Sequence, residues 1–245
     1  VSRTLARHAS AEFVGTALLV AAVVGSGTAA ARLSPGDVGL QLLENAIATA
    51  FALGALILMF GPVSGAHFNP VVSAVDWWLG RRADTGLTGS DLAAYTAAQV
   101  TGAIAGSVLA NLMFDLPAVA WSQTDRTGGN LWLAEIVATA GLVVLVFALA
   151  RSGRTATAPA AVGAYIGAAY WFTSSTSFAN PAVTIGRAFT DTFAGIAPTS
   201  VPGFVVAQLV GGLVAVAALA AWYPRAQRAA DSVVMPHLAQ ETEAR

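Results

Sequence analysis

Two Asn-Pro dipeptides, Asn69-Pro70 and Asn180-Pro181, carry the most specific polar chemistry in this chain. Asn caps a helix N-terminus well, and Pro at the first helical position loses no donor that the helix needs. If each Asn oxygen caps its own helix, the NH2 group is left to donate to a passing oxygen. The surroundings correspond: Ala66-His67-Phe68-Asn69-Pro70-Val71-Val72-Ser73 against Ser177-Phe178-Ala179-Asn180-Pro181-Ala182-Val183-Thr184. Glu12 and Glu135 recur in Ala11-Glu12-Phe13-Val14 and Ala134-Glu135-Ile136-Val137, and Gln99 and Gln208 in Ala98-Gln99-Val100 and Ala207-Gln208-Leu209. Other chemistry is poorly supplied. The chain has no cysteine, so thiol catalysis and thiolate metal sites are unavailable, and its 3 histidines (His8, His67, His237) lie far apart in sequence. No Ser-His-Asp arrangement has credible spacing. No catalytic residue, metal site or cofactor is expected, and the chain is not expected to be an enzyme.

The elements that must position these residues are membrane helices. The chain is 56% hydrophobic and 10% charged, with a formal net charge of -1; soluble proteins carry about 25% charged residues. The near-zero charge argues against nucleic acid. The apolar runs are too long, and alternate too little, for barrel strands. Six runs, at about 10–31, 42–61, 92–114, 131–150, 157–173 and 203–223, approach the roughly 20 residues that cross the hydrocarbon, the fifth being short. The segments at about 69–79 and 180–189 reach only about half way across. The expected fold is an all-α membrane protein with six transmembrane helices and two re-entrant half-helices. It forms one channel domain over residues 1–223, with repeat one at 10–114, repeat two at 131–223, and a polar tail at 224–245. The first span is expected to stay as an anchor rather than be cleaved.

All basic residues are arginine. Alternating loops put Arg3, Arg7, Arg81, Arg82, Arg151, Arg154, Arg225 and Arg228 on one side, and Arg32, Arg126 and Arg187 on the other. The positive-inside rule then predicts a multi-pass protein of the cell (inner) membrane with both termini cytoplasmic. Each repeat has three spans, an odd number, so the second is inverted relative to the first. Such folds place their site at the midplane between the halves. There the two half-helices, opened by Pro70 and Pro181, bring two positive dipole ends and two Asn amides to one spot. A water held there has its hydrogens turned away from the amides, and hydronium and metal cations are repelled.

At these residues the chain resembles the aquaporin and glyceroporin superfamily of major intrinsic proteins over roughly residues 10–223. The resemblance rests on the two Asn-Pro boxes, the Ser64-Gly65-Ala66-His67-Phe68 lead-in and the paired Glu12 and Glu135. It implies a pore in each subunit of a homotetramer in the lipid bilayer. It also implies that Asn69 and Asn180 exclude protons, a described property of aquaporin-type pores. The family's usual filter arginine, three residues after the second Asn, is Val183 here. Counting from the Asn residues without gaps puts the other filter positions at Thr49, Ala168 and Ser177. Such a ring is wide and mostly uncharged, and predicts passage of water with small uncharged solutes such as glycerol-like polyols. The bacterial members it most resembles are linked with neutral metalloid acids such as arsenite.

Several readings compete at single residues. Glu12 and Glu135 could relay protons, as in an ion-coupled secondary transporter; satisfying non-helical backbone inside the bilayer is preferred. A strict water channel is the other alternative. His67 either lines and gates the pore or bonds a neighbouring group. Arg187 either lines the outer mouth or pairs with Asp191 at i+4, the pair being preferred.

Overall fold

The structure is a computed structural model that describes residues 3–81 and 85–223. Arg82, Arg225, Arg228, His237 and the expected tail lie outside the described residues. Among the described residues eight α-helices follow one another: α1 (Arg3–Leu33), α2 (Val38–Ser64), α3 (Pro70–Gly80), α4 (Gly89–Met113), α5 (Gly129–Arg151), α6 (Ala158–Phe172), α7 (Pro181–Gly186) and α8 (Val201–Trp222). Five of them (α1, α2, α4, α5 and α8) are long and apolar enough to cross a membrane. The fifth expected span, α6, has 15 residues and is lengthened at its start by a 3-10 turn over Thr155–Thr157.

Polar side chains fix the helix starts. Asp37 accepts from the Leu40 amide at α2, and Thr88 and Asp91 form a reciprocal capping box at α4. Between the helices, glycine sets the closest approaches. A Cβ on Gly102 would lie 2.4 Å from the Phe13 carbonyl oxygen, and one on Gly106 would lie 2.2 Å from that of Ala17. In the second repeat, a Cβ on Gly211 would lie 2.7 Å from the Ile136 oxygen. So α1 meets α4, and α5 meets α8, at nearly backbone-to-backbone distance.

The half-helices tie the repeats together. Helix α3 packs against α4 of its own repeat and α8 of the other, and α7 packs against α8 and α4 in turn. The second half-helix is shorter than the expected 180–189: α7 stops at Gly186 and tightens into a 3-10 turn over Arg187–Phe189. Large exposed apolar side chains such as Phe51, Leu213 and Trp222 cover the outside of the bundle, as a lipid-facing surface requires.

Candidate functional site

The approach to each half-helix is a strained turn held by a carboxylate. Gly65, Ala66 and Phe68 have φ of 83, 50 and 50°, and Thr176, Ser177 and Ala179 have 61, 50 and 48°. Left-handed backbone costs a non-glycine residue about 1–2 kcal/mol, so five such residues need compensation. Glu12 supplies it in the first repeat. Its Oε1 accepts from Ser64 Oγ (2.6 Å) and the His67 amide (3.0 Å), and its Oε2 from the Phe68 amide (2.7 Å) and Gln99 Nε2 (2.8 Å). Glu135 does the same in the second. Its Oε1 accepts from the Phe178 amide (2.9 Å), and its Oε2 from the Ala179 amide (2.8 Å) and Gln208 Nε2 (2.6 Å). Each glutamine also donates to a hydroxyl, Gln99 to Ser73 (3.0 Å) and Gln208 to Thr184 (2.8 Å). Both carboxylates are fully buried and accept from backbone donors, which satisfies non-helical backbone inside the bundle.

The two caps meet between the repeats. Asn69 Oδ1 accepts from the Val71 amide at 3.0 Å, and Asn180 Oδ1 accepts from the Ala182 and Val183 amides at 3.0 and 3.3 Å. Pro70 and Pro181 are the first residues of α3 and α7. The NH2 groups are not wholly free, as capping alone suggests. Asn69 Nδ2 donates to the Ala179 carbonyl and Asn180 Nδ2 to the Phe68 carbonyl, both at 2.7 Å. One hydrogen of each amide thus staples the repeats, and the second is left over for another acceptor.

Both asparagines line a cavity of about 60 Å³. Thr49, Ser177, Val183, His67 and Arg187 line it too; Leu53, Val162, Ile166 and other aliphatic side chains form its apolar wall. Ala168 does not line it. That residue is exposed on α6, and the stripe Val162, Ile166, Tyr170 faces inward instead. Two residues along an α-helix turn about 200°, so a gapless count that is out by two lands on the lipid face. Tyr170 and Ile166, two residues to either side of Ala168, line the cavity, and the Tyr170 hydroxyl lies 3.2 Å from Thr49 Oγ1. With Tyr170 and Arg187 present, the ring is neither as small-sided nor as uncharged as the count implies.

Arg187 does not pair with Asp191. The α-helix ends before it, so i+4 geometry does not hold, and Asp191 Oδ1 accepts from the Gln123 amide at 3.0 Å. Arg187 is instead 2% exposed, with its guanidinium 3.4 Å from the centroid of the Phe178 ring and its Nε donating to the Ala194 carbonyl. Arg126, from the α4–α5 connection, lies 5.1 Å from the same ring and donates from Nε to the Gly195 carbonyl at 2.8 Å. Its neighbour Asp125 is held below the usual carboxylate range by hydrogen bonds from the Thr127 and Ser200 hydroxyls. His67 Nδ1 lies 3.0 Å from Ser73 Oγ, and its ring meets Tyr95 edge-on at 5.4 Å. Phe178, at the corresponding place, meets Phe204 edge-on at 5.1 Å.

Tyr170, Phe178, Ser73 and Thr184 are the residues that sequence reading missed. A signal existed for two of them: Ser73 and Thr184 both stand four residues after their Asn. Phe178 and His67 also match across the repeats, but nothing in the pattern shows that a guanidinium stacks on Phe178. Among the described residues, no group of three or more His, Cys, Asp or Glu could hold a metal ion.

Comparison with known proteins agrees with this geometry. The model of the family described as major intrinsic protein matches residues 1–179 and 173–244. The aquaglyceroporin AqpS of Rhizobium meliloti (strain 1021) is 54% identical over 213 residues, covering 87% of this chain and 88% of its own length. Aquaporin TIP1-1 of Zea mays is 34% identical over 193 residues, 74% of each chain. The X-ray structure of the aquaglyceroporin from Plasmodium falciparum superposes with a TM-score of 0.62 at 19% identity, covering 90% of this chain and 97% of that one, and so shares the fold. The chain therefore belongs to the major intrinsic protein family, as a passive membrane channel and not an enzyme.

Proposed function

We propose that the chain conducts water and small uncharged, oxygen-bearing solutes of the glycerol kind down their gradients, through the cavity between its two half-helices. The observation that carries this reading is the junction of Asn69 and Asn180. Two helix N-termini meet there beside a largely aliphatic wall, each cap keeps one N–H for a solute, and no carboxylate lines the cavity among the described residues. Positive helix ends favour oxygen lone pairs and disfavour cations, hydronium included. Thr49, Tyr170, Ser177 and Val183 form the filter in this reading, and Leu53, Val162 and Ile166 face the carbon side of a polyol. The names of the relatives, aquaporin and aquaglyceroporin, support water and glycerol as cargo. Neutral arsenous acid offers the same hydroxyl chemistry and belongs in the same solute class.

In this reading residues 1–223 form one channel domain, four copies assemble in the inner membrane with one pore each, and both termini face the cytoplasm. The arginine distribution supports that orientation, and the family resemblance supports the tetramer. Swelling of proteoliposomes in water, glycerol, urea and arsenous acid tests the cargo. Passage of water and glycerol is expected. A pore that passes water alone overturns the polyol reading, and flux that depends on a proton gradient overturns the channel reading.

A further inference from the structure

Val183 lines the cavity with no polar atom, three residues after the second Asn. Arg187, four residues further on, lines the same cavity and is 2% exposed. Burying a guanidinium is costly without compensation. Here the compensation is the face of Phe178 and the Ala194 carbonyl, neither of which is a counter-charge. Among the described residues no protein group accepts from Nη1 or Nη2 of Arg187. Ser177 Oγ, in the same lining, is buried with no hydrogen-bond partner. A guanidinium with no carboxylate in hydrogen-bond contact and a partnerless hydroxyl therefore line the same cavity.

The backbone that launches Arg187 is tightly placed. A Cβ on Gly186 would fall 2.7 Å from the Ala103 carbonyl, so the end of α7 lies directly on α4. Ser107 Oγ donates to the Gly186 carbonyl at 2.7 Å, and the Ile196 amide donates to the Arg187 carbonyl at 3.3 Å. The 3-10 turn that begins at Arg187 swings its side chain back over the Phe178 ring instead of outward.

We propose that Arg187 is the specificity-determining cation of this cavity. It repels cations and offers its Nη hydrogens to the oxygen of a neutral solute that Ser177 also contacts. The small side chain at Val183 leaves room for it. The position lost for a filter arginine is thus refilled from one turn further along the chain. This rests on the channel reading above and adds to it which side chain sets charge selectivity.

The test uses the full chain in proteoliposomes, reading water flow, glycerol flow and the leak of protons and potassium. Arg187→Gln keeps a donor for the Ala194 carbonyl but removes the charge. It is expected to raise the cation leak, measured relative to its own water flow, by about tenfold or more. The exchange variant Val183→Arg/Arg187→Val, which moves the guanidinium along the chain, is expected to bring the leak back down. Wild-type leak and an unchanged glycerol-to-water ratio in Arg187→Gln overturn the proposal, as does an exchange variant as leaky as Arg187→Gln. If Arg187→Gln does not assemble, Arg187→Met is read the same way. Failure of both while Arg187→Lys assembles assigns the charge to folding and overturns the proposal. Absence of water flow in the unaltered protein counts against the channel reading instead.

Discussion

The side-chain amide of Asn69 donates to the backbone carbonyl of Ala179 at 2.7 Å, linking the cap of one half-helix to the approach of the other. Asn180 returns the bond to Phe68. Each asparagine is thus an acceptor for its own helix and a donor to its counterpart. Asn69→Asp keeps the cap but sets a carboxylate against the Ala179 carbonyl. It is expected to destabilise the fold by about 1–3 kcal/mol, the cost of an unmade buried hydrogen bond. Asn69→Ala, which also loses the cap, is expected to cost about 1 kcal/mol more. Thermal unfolding in detergent checks both, and an unchanged Tm for Asn69→Asp contradicts the staple.

Glu135 accepts from two backbone amides and from Gln208, so replacing it by glutamine brings an NH2 group into a ring of donors. At least one amide then loses its acceptor, at about 1–3 kcal/mol. Glu135→Gln protein that does assemble is expected to carry the same solutes, with no change on imposing a pH gradient. A gradient-dependent flux in the parent that this variant abolishes would instead identify Glu135 as a proton relay.

Close helix contact makes a sharp contrast between two glycines. A Cβ at Gly106 would sit 2.2 Å from a backbone oxygen of α1, whereas one at Gly129 meets nothing within 4 Å. Gly106→Ala is expected to lose about 1–3 kcal/mol through forced separation of α1 and α4. Gly129→Ala is expected to stay within about 0.5 kcal/mol of the parent. Tm in a common detergent measures both.

Two residues of α6 are expected to behave oppositely. Tyr170 reaches the cavity and its hydroxyl lies 3.2 Å from Thr49, while Ala168 is exposed. Tyr170→Ala is expected to raise glycerol flow relative to water by opening the ring. Ala168→Phe is expected to leave both unchanged. Stopped-flow light scattering gives the ratio; a large effect at Ala168 alone would reverse the assignment.

Much of this site is legible in sequence because the chain states it twice. The Asn-Pro boxes, the two glutamates and the two glutamines stand at matching intervals, and each forms the matching bond in its repeat. The half-helices follow from local capping chemistry, which needs no knowledge of the partner. Ala168 failed because a gapless count crosses the irregular turn at 173–180, where register is set by left-handed residues rather than by helical period. The preference for an Arg187–Asp191 pair over a pore-lining Arg187 failed for a related reason. The direction of Arg187 depends on α7 ending at Gly186, on the contact of Gly186 with Ala103, and on a carbonyl from residue 194, all of them tertiary. Tyr170 was hidden by the uniform hydrophobicity of α6: in a span that is apolar all round, composition does not separate the inward stripe from the lipid face.

Whether solutes pass through the cavity between the two asparagines is directly measurable, because the chain has no cysteine and offers a thiol-free background. Ser177→Cys, Thr49→Cys and Ala168→Cys are each reconstituted, treated with a small charged thiol reagent from either side, and assayed for water and glycerol flow. Loss of flow is expected on modification at positions 177 and 49, with full flow retained when position 168 is modified. Flow that survives complete modification at both 177 and 49, or that is lost on modification at 168, would place the path elsewhere.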